Sequence, residues 1–268
     1  MKESGEKQIS LTDADSRSMP LGGGSKTQVG YNMQVSVDAK HKMIVDHEVT
    51  NAVTDQDLLS EMAIRAKEVL GVEELEVTAD MGYYDGQEVK NCLEEGISPY
   101  IPKPDTSANK KLGLFGKSDF CYDGEQDCYW CPAGEKLTYR FQTTEKGRDI
   151  KYYVCSACGR CEIRPQCTRN KDGRRITRWV DEEVLEEMER RVRANPEKAC
   201  PERSRRIKLR KELAEHPFGT IKHWMDQGHF LMRGLPNVRG EASLTILAYN
   251  LKRAINILGV QKMIEALA

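Results

Sequence analysis

The sequence has few aromatic residues, almost no net charge and no long hydrophobic run. Aromatic side chains make up 7% of the 268 residues, and 41 Lys and Arg nearly balance 42 Asp and Glu. No apolar stretch approaches the roughly 20 residues that span a bilayer, and the polar residues 1–20 do not resemble a signal peptide. We therefore expect a cytoplasmic globular protein with a charged surface.

The small net charge conceals an uneven distribution. Residues 1–98 carry 9 basic and 19 acidic side chains, whereas the rest of the chain carries 32 basic and 23 acidic ones. A basic second part favours a polyanionic partner such as DNA. Two ordinary solvated surfaces would explain the same counts equally well.

Hydrophobic patterning predicts an α/β fold. Short alternating runs and helical periods succeed each other in the order β-β-α-β-α-β, which is typical of a mixed sheet flanked by helices. The final helix is predicted over Glu241–Leu258, and its stripe of Leu and Ile is predicted to pack into the core. We expect four segments: a flexible lead-in (1–29), the first part of the α/β core (30–104), a cysteine-rich insertion (105–178) and a helical part that completes the core (179–268).

Two carboxylates stand out by position. Asp80 follows a short buried run, at the strand end where open α/β sheets place their chemistry, although it could equally cap the next turn. Lys222 follows Glu215 by seven residues, so an unbroken helix would bring the two side chains to one face, where they could hold a metal and a phosphate. A surface helix with scattered charges is the alternative, and Pro217 interrupts a regular helix in either case.

Five motifs follow one another along the chain. They are Gly30-Tyr31-Asn32-Met33-Gln34-Val35-Ser36-Val37-Asp38, Thr78-Ala79-Asp80-Met81-Gly82-Tyr83, Glu215-His216-Pro217-Phe218-Gly219-Thr220-Ile221-Lys222, Phe230-Leu231-Met232-Arg233-Gly234 and Ala248-Tyr249-Asn250-Leu251-Lys252-Arg253. Together they resemble the DDE transposases of bacterial insertion sequences. The resemblance implies an RNase H-like catalytic fold, with Asp80 and Glu215 as the second and third acidic residues of the triad, binding Mg²⁺ or Mn²⁺. It also implies DNA contacts for Lys222, Arg210 and Arg233, transposon ends and target DNA as partners, and a homodimer on DNA.

The sequence departs from this family at the first acidic position. The family places its first Asp in an Asp-Gly-Thr-like motif upstream of the Tyr-Asn-x-Gln strand, and no such motif precedes Gly30 here. Asp13 and Asp15 lie in the polar lead-in, and Asp38 is predicted to be a hairpin residue. We therefore expect a truncated catalytic portion that is inactive alone. A non-cutting DNA-binding remnant or regulator, or an RNase H-like nuclease, is the alternative.

Seven of the nine cysteines lie between Cys121 and Cys167. Paired Cys-x2-Cys spacings in a chain without a secretory signal predict a zinc-ribbon-like site. The predicted ligands are Cys128, Cys131, Cys158 and Cys161, with Cys155 and Cys167 as alternates. An iron–sulfur cluster and unliganded thiols remain open. Basic residues interleaved with aromatic ones over Tyr139–Arg178 also favour DNA binding by this segment.

Overall fold

The structure, a computed structural model, describes residues 10–20, 26–104, 107–194, 217–225 and 228–267. The chain divides into two compact units. The first unit combines Met1–Lys103 with Met188–Ala268, and the second is the continuous segment Pro104–Glu187. The second unit therefore contains the cysteine-rich segment expected at 105–178. No helix in the described part of the chain is long and apolar enough to cross a membrane.

Short strands and helices follow one another along the chain, and β7 to β11, α3 and α4 belong to the second unit. The strands are β1 (Arg17–Pro20), β2 (Thr27–Gly30), β3 (Asn32–Val37), β4 (Ile44–Thr50), β5 (Leu75–Thr78), β6 (Ile97–Tyr100), β7 (Cys121–Asp123), β8 (Cys128–Trp130), β9 (Lys136–Glu145), β10 (Arg148–Val154) and β11 (Arg175–Trp179). The helices are α1 (Leu59–Leu70), α2 (Gly86–Glu94), α3 (Ala108–Lys111), α4 (Arg164–Cys167), α5 (Glu182–Arg193), α6 (Leu235–Leu258) and α7 (Val260–Leu267).

The predicted order β-β-α-β-α-β is confirmed from β3 to β6. Strands β3 and β4 pair antiparallel, and β5 and β6 pair parallel. These pairs form separate two-stranded sheets within the described residues. The fold is thus mixed α/β, while its RNase H-like character stays a prediction.

The segment expected to be a flexible lead-in contains a third strand pair. Strands β1 and β2 pair antiparallel, with Arg17 opposite Gly30 and Pro20 opposite Thr27. Proline is tolerated at such a place because β1 has an edge with no further strand in the described residues. This pairing differs from the expectation for residues 1–29, which was based on their Ser, Gly and Pro content.

The second unit is built on a five-stranded antiparallel sheet with the order β11-β10-β9-β8-β7. Five buried side chains form its core and bring together residues from β8, β9, β10 and β11. They are Phe120, Tyr129, Leu137, Tyr153 and Ile176.

Helix α6 docks on the β3–β4 hairpin. Its buried residues recur at helical spacing and pack against Ile44 and Val49 of β4. Polar side chains of the same helix complete hydrogen bonds of the hairpin backbone. The N–H of Ile44 donates to Asn250 Oδ1 at 2.9 Å, and Asn250 Nδ2 donates to the carbonyl of Ile44 at 2.8 Å. The hydroxyl of Tyr249 donates to the carbonyl of Lys42 at 2.6 Å.

The prediction that the Leu and Ile stripe of α6 packs into the core is wrong. Leu244 is 70% exposed and Leu247 is 64% exposed. At 100° per residue the stripe lies opposite Ala242, which is fully buried on the hairpin. The hairpin packs on the face with Val238, Ala242, Ile246 and Tyr249, so hydrophobic periodicity selected the wrong side of the helix.

This orientation predicts that two alanine substitutions in α6 change the free energy of unfolding by different amounts. Asn250→Ala leaves the N–H and the carbonyl of Ile44 without their side-chain partners, so we expect it to lower the free energy of unfolding by about 1–3 kcal/mol. Leu244→Ala removes only exposed surface, so we expect a change within about 0.5 kcal/mol. Urea denaturation of both variants measures the difference. A larger loss for Leu244→Ala would contradict the observed docking face.

Candidate functional site

Asp80 lies directly after a parallel strand, as predicted. Strand β5 ends at Thr78, and the N–H of Ala79 continues the pairing by donating to the carbonyl of Tyr100 at 3.4 Å. Asp80 is exposed and extended, and a 3₁₀ turn, Met81–Tyr83, begins after it. Its carboxylate takes no part in capping that turn. The position therefore presents a carboxylate at the C-terminal edge of the β5–β6 sheet.

A second carboxylate, Asp55, is held near this turn. Asp55 Oδ1 accepts hydrogen bonds from Asn32 Nδ2 at 2.7 Å and from Gln34 Nε2 at 2.9 Å. A Cβ at Gly82 would lie 3.3 Å from Asp55 Oδ2, so the carboxylate approaches the turn closely. Asp55 was not among the predicted site residues. The signal was present in β3, where Asn32 and Gln34 alternate onto one face and Gln34 is buried.

Tyr83 lies within electrostatic reach of both carboxylates. Its hydroxyl donates to Gln34 Oε1. Burial, together with the negative charges of Asp55 and Asp80, raises the pKa of Tyr83 well above its usual range. The phenol therefore stays protonated and keeps its donor role beside two acidic groups.

A cleft of about 550 Å³ lies in the first unit and carries two of the predicted DNA-binding residues, Lys222 and Arg233. Lys222 is exposed on a π-helical turn, Thr220–Trp224, and its Nζ lies 5.9 Å from the ring centroid of Phe218. Arg233 is also exposed. Aromatic and sulfur-containing side chains share the walls with these cations, namely Met19, Tyr31, Met33, Phe218, Phe230 and Met232. The cleft thus combines positive charge with apolar surface, as nucleic-acid-binding grooves do.

Two predicted site residues, Glu215 and Arg210, lie outside the described residues. The expected pairing of Glu215 with Asp80, and of Glu215 with Lys222 on one helical face, therefore stays a prediction.

Asp13 and Asp15 hold the beginning of α6. Asp13 Oδ2 accepts a hydrogen bond from the hydroxyl of Tyr31 at 2.7 Å, and both its oxygens lie 3.3 Å from the N–H of Gly234. Asp15 Oδ2 accepts from the N–H of Leu235 at 2.9 Å. The first N–H groups of a helix lack partners within the helix and attract carboxylates. These two residues thus have a structural role that the sequence did not predict.

This contact predicts a pH-dependent contribution to stability. Burial alone would raise the pKa of Asp13, but hydrogen bonds from Tyr31 and from backbone N–H groups outweigh it and lower the pKa. The carboxylate therefore stabilises the fold above its ordinary pKa of about 4, and the contribution is lost as the pH falls through the lower folded-state pKa. We expect Asp13→Asn to cost about 1 kcal/mol at pH 7.

Urea denaturation between pH 7 and pH 3 measures this cost. The difference between the wild type and Asp13→Asn should shrink in the acidic part of the range. Glu74→Gln removes an exposed carboxylate of the same unit and serves as the control. An equal loss for both variants, or a loss that grows toward acid, would contradict the assignment.

Five cysteines of the second unit line one small cavity of about 20 Å³. Cys128 is not among them, because it lies within β8 and its side chain is buried. Of the predicted zinc ligands, the structure thus brings together Cys131, Cys158 and Cys161, and it adds the alternates Cys155 and Cys167. Across the described ranges, no three His, Cys, Asp or Glu side chains stand in the arrangement of a formed metal site.

A comparison with family models finds a similarity in the second part of the chain. Residues 130–255, just under half of the chain, match the family model of the transposase DDE domain. The match supports a likeness of this region to the C-terminal portion of DDE transposases. No curated protein matches, and neither does any solved structure.

The matched region includes the cysteine cavity, Lys222, Arg233 and most of α6. It also spans Glu215 and Arg210. Asp80 and Asp55 precede it. The family match therefore supports the C-terminal portion of a DDE transposase, while the role of each acidic residue remains to be tested.

Proposed function

We propose that this chain is the catalytic portion of an insertion-sequence transposase, which cuts and joins DNA at the ends of its element with the help of divalent metal ions. The match of residues 130–255 to the transposase DDE domain carries the proposal. The cations of the cleft support it, because phosphate contacts dominate the affinity of proteins for DNA. We also propose that two chains act together on DNA.

In this proposal Asp80 and Glu215 bind Mg²⁺ or Mn²⁺. Carboxylate oxygens are the hard ligands that these ions prefer, and Asp80 offers an exposed carboxylate at a strand end. When bound, a pair of such ions activates an attacking hydroxyl and stabilises the leaving oxygen of a phosphodiester. Lys222 and Arg233 then hold the DNA backbone beside the cut.

The number of acidic metal ligands predicts that the chain binds metal and DNA but does not join strands. Only two of the three acidic positions of the family pattern are matched in the sequence, so we expect the chain to bind Mn²⁺ and element ends without joining strands. Calorimetric titration with Mn²⁺ should show binding that Asp80→Ala removes, whereas Glu74→Gln should leave it intact. A strand-transfer assay with Mg²⁺ or Mn²⁺ uses labelled duplexes taken from the DNA that flanks the gene.

Each remaining outcome identifies a different function. If the affinity for element ends changes neither with Mn²⁺ nor with Asp80→Ala, the chain is a non-cutting remnant or regulator. Cutting without preference for the flanking DNA, abolished by Asp80→Ala, would indicate an RNase H-like nuclease. Robust strand transfer by the chain alone would contradict the expected inactivity and point to a further carboxylate such as Asp55 or Asp38.

A second prediction concerns the cleft. Lys222→Ala should weaken binding to DNA ends, and the slope of log affinity against log salt should fall by about 1, because one phosphate contact no longer releases its counterion. Lys262→Ala removes an exposed lysine of α7 that does not line the cleft, so it should change neither quantity. Fluorescence anisotropy at several salt concentrations measures both variants. Equal slopes for Lys222→Ala and the wild type would exclude a phosphate contact at Lys222.

A further inference from the structure

The thiols of the second unit converge from separate segments of the chain. Cys131 follows β8, Cys155 and Cys158 follow β10, and Cys167 ends α4. Cys131 precedes the others by 24 residues or more, yet it lines the same cavity as Cys155, Cys158, Cys161 and Cys167. Its volume of about 20 Å³ is the size that one water molecule or one ion occupies. All eight described cysteines are free thiols, so no disulfide accounts for the convergence.

Backbone contacts and tight turns surround the cysteines of the cavity. The N–H of Ala157 donates to Cys155 Sγ at 3.3 Å, which fixes the direction of this side chain. Gly173 has a φ of +89°, and a Cβ there would lie 2.8 Å from Cys158 Cβ. A side chain at position 173 would therefore collide with Cys158. A tight turn also follows Cys131, where the N–H of Gly134 donates to the carbonyl of Cys131 at 2.9 Å.

A half-buried cation also lines the cavity. Arg174 Nε is buried with no hydrogen-bond partner, and its guanidinium carbon lies 5.4 Å from the ring centroid of Phe120. Asp119 and Cys167 both lie within electrostatic reach of Arg174. Thiolates in the cavity would add negative charge beside this cation.

The chemistry of the donors selects the ligand. Sulfur donors exclude Mg²⁺ and Ca²⁺, which take oxygen, whereas four thiolates form the usual structural site of Zn²⁺. Cys131, Cys155 and Cys167 pack against the hydrophobic core of the unit. Cys158 lies close to both Cys155 and Cys167. Neither Cys158 nor Cys161 is part of the core packing, and both lie near Cys167, but Cys158 also lies near Cys155, so we take Cys158 as the fourth ligand and Cys161 as the alternate.

We propose that Cys131, Cys155, Cys158 and Cys167 bind one structural Zn²⁺, with Arg174 balancing the charge of the thiolates. Binding requires the four sulfur atoms to rotate toward a common point, because within the described residues no formed metal arrangement is present. The site would tie the turn after β8 to the segment after β10, and so stabilise the sheet of the second unit. The proposal is independent of the catalytic one.

The test is zinc content of the purified full chain by elemental analysis. We expect about one Zn²⁺ per chain. Cys155→Ser and Cys167→Ser should each lower zinc affinity by about tenfold or more. Cys121→Ser, in an exposed position of the same unit, and Cys128→Ala should both retain the full content. Loss of zinc in Cys128→Ala with retention in Cys155→Ser would overturn the ligand set.

Two further measurements test the proposal even if the cysteine variants fail to fold. The metal-free wild-type chain is titrated with Co²⁺, and we expect one equivalent to bind with the absorption of a tetrahedral thiolate site. No Co²⁺ binding, or purified protein that contains iron and sulfide in place of zinc, would overturn the proposal. Arg174→Met keeps every ligand and should lower zinc affinity about 10–100-fold in competition with a chelator. Unchanged affinity would refute the role of Arg174.

Discussion

The first unit depends on the attachment of α6 to the β3–β4 hairpin. Asn250 satisfies both backbone groups of Ile44, across 206 residues of sequence. An isolated two-stranded hairpin is marginally stable in water, so the hairpin needs this cover. The helix also supplies the apolar half of the contact through Val238 and Ala242, which are fully buried. The α/β core is therefore complete only when the chain returns from the second unit.

The candidate site is assembled by the same attachment. Asp13 and Asp15 reach the N–H groups at the start of α6 and hold it beside Tyr31. The cleft with Lys222 and Arg233 is lined by residues from this junction. On the other side of the hairpin, β3 uses Gln34 to hold Asp55 near the turn after Asp80. One hairpin thus supports both the cationic cleft and the neighbourhood of the carboxylates.

Local patterns in the sequence predicted the elements well, and long-range choices poorly. Alternation and helical period located β3 to β6 with α1 and α2 between them, and they placed Asp80 at a strand end. They could not tell which face of α6 meets the hairpin, because both faces carry apolar residues, and the buried face is marked by the polar contacts of Tyr249 and Asn250 with distant backbone groups. Nor could spacing exclude Cys128 from the cavity, since strand geometry decides whether its thiol faces the core. The polar contacts of Asp13 and Asp55 depend on partners far away in sequence.

In the second unit, Arg174 differs from the other charged side chains in how it is partnered. Asp127 is fully engaged, since it accepts from Tyr153 at 2.6 Å and Lys151 at 3.0 Å, and these partners lower its pKa to about 2. Arg178 is likewise paired with Glu186 at 2.5 Å. Among the described residues of this unit, Arg174 Nε is the one buried side-chain polar atom without a partner. Since Arg178 and Asp127 find their partners among the side chains of this unit, the unpartnered Nε of Arg174 is an exception, and thiolates in the adjoining cavity would give Arg174 negative neighbours.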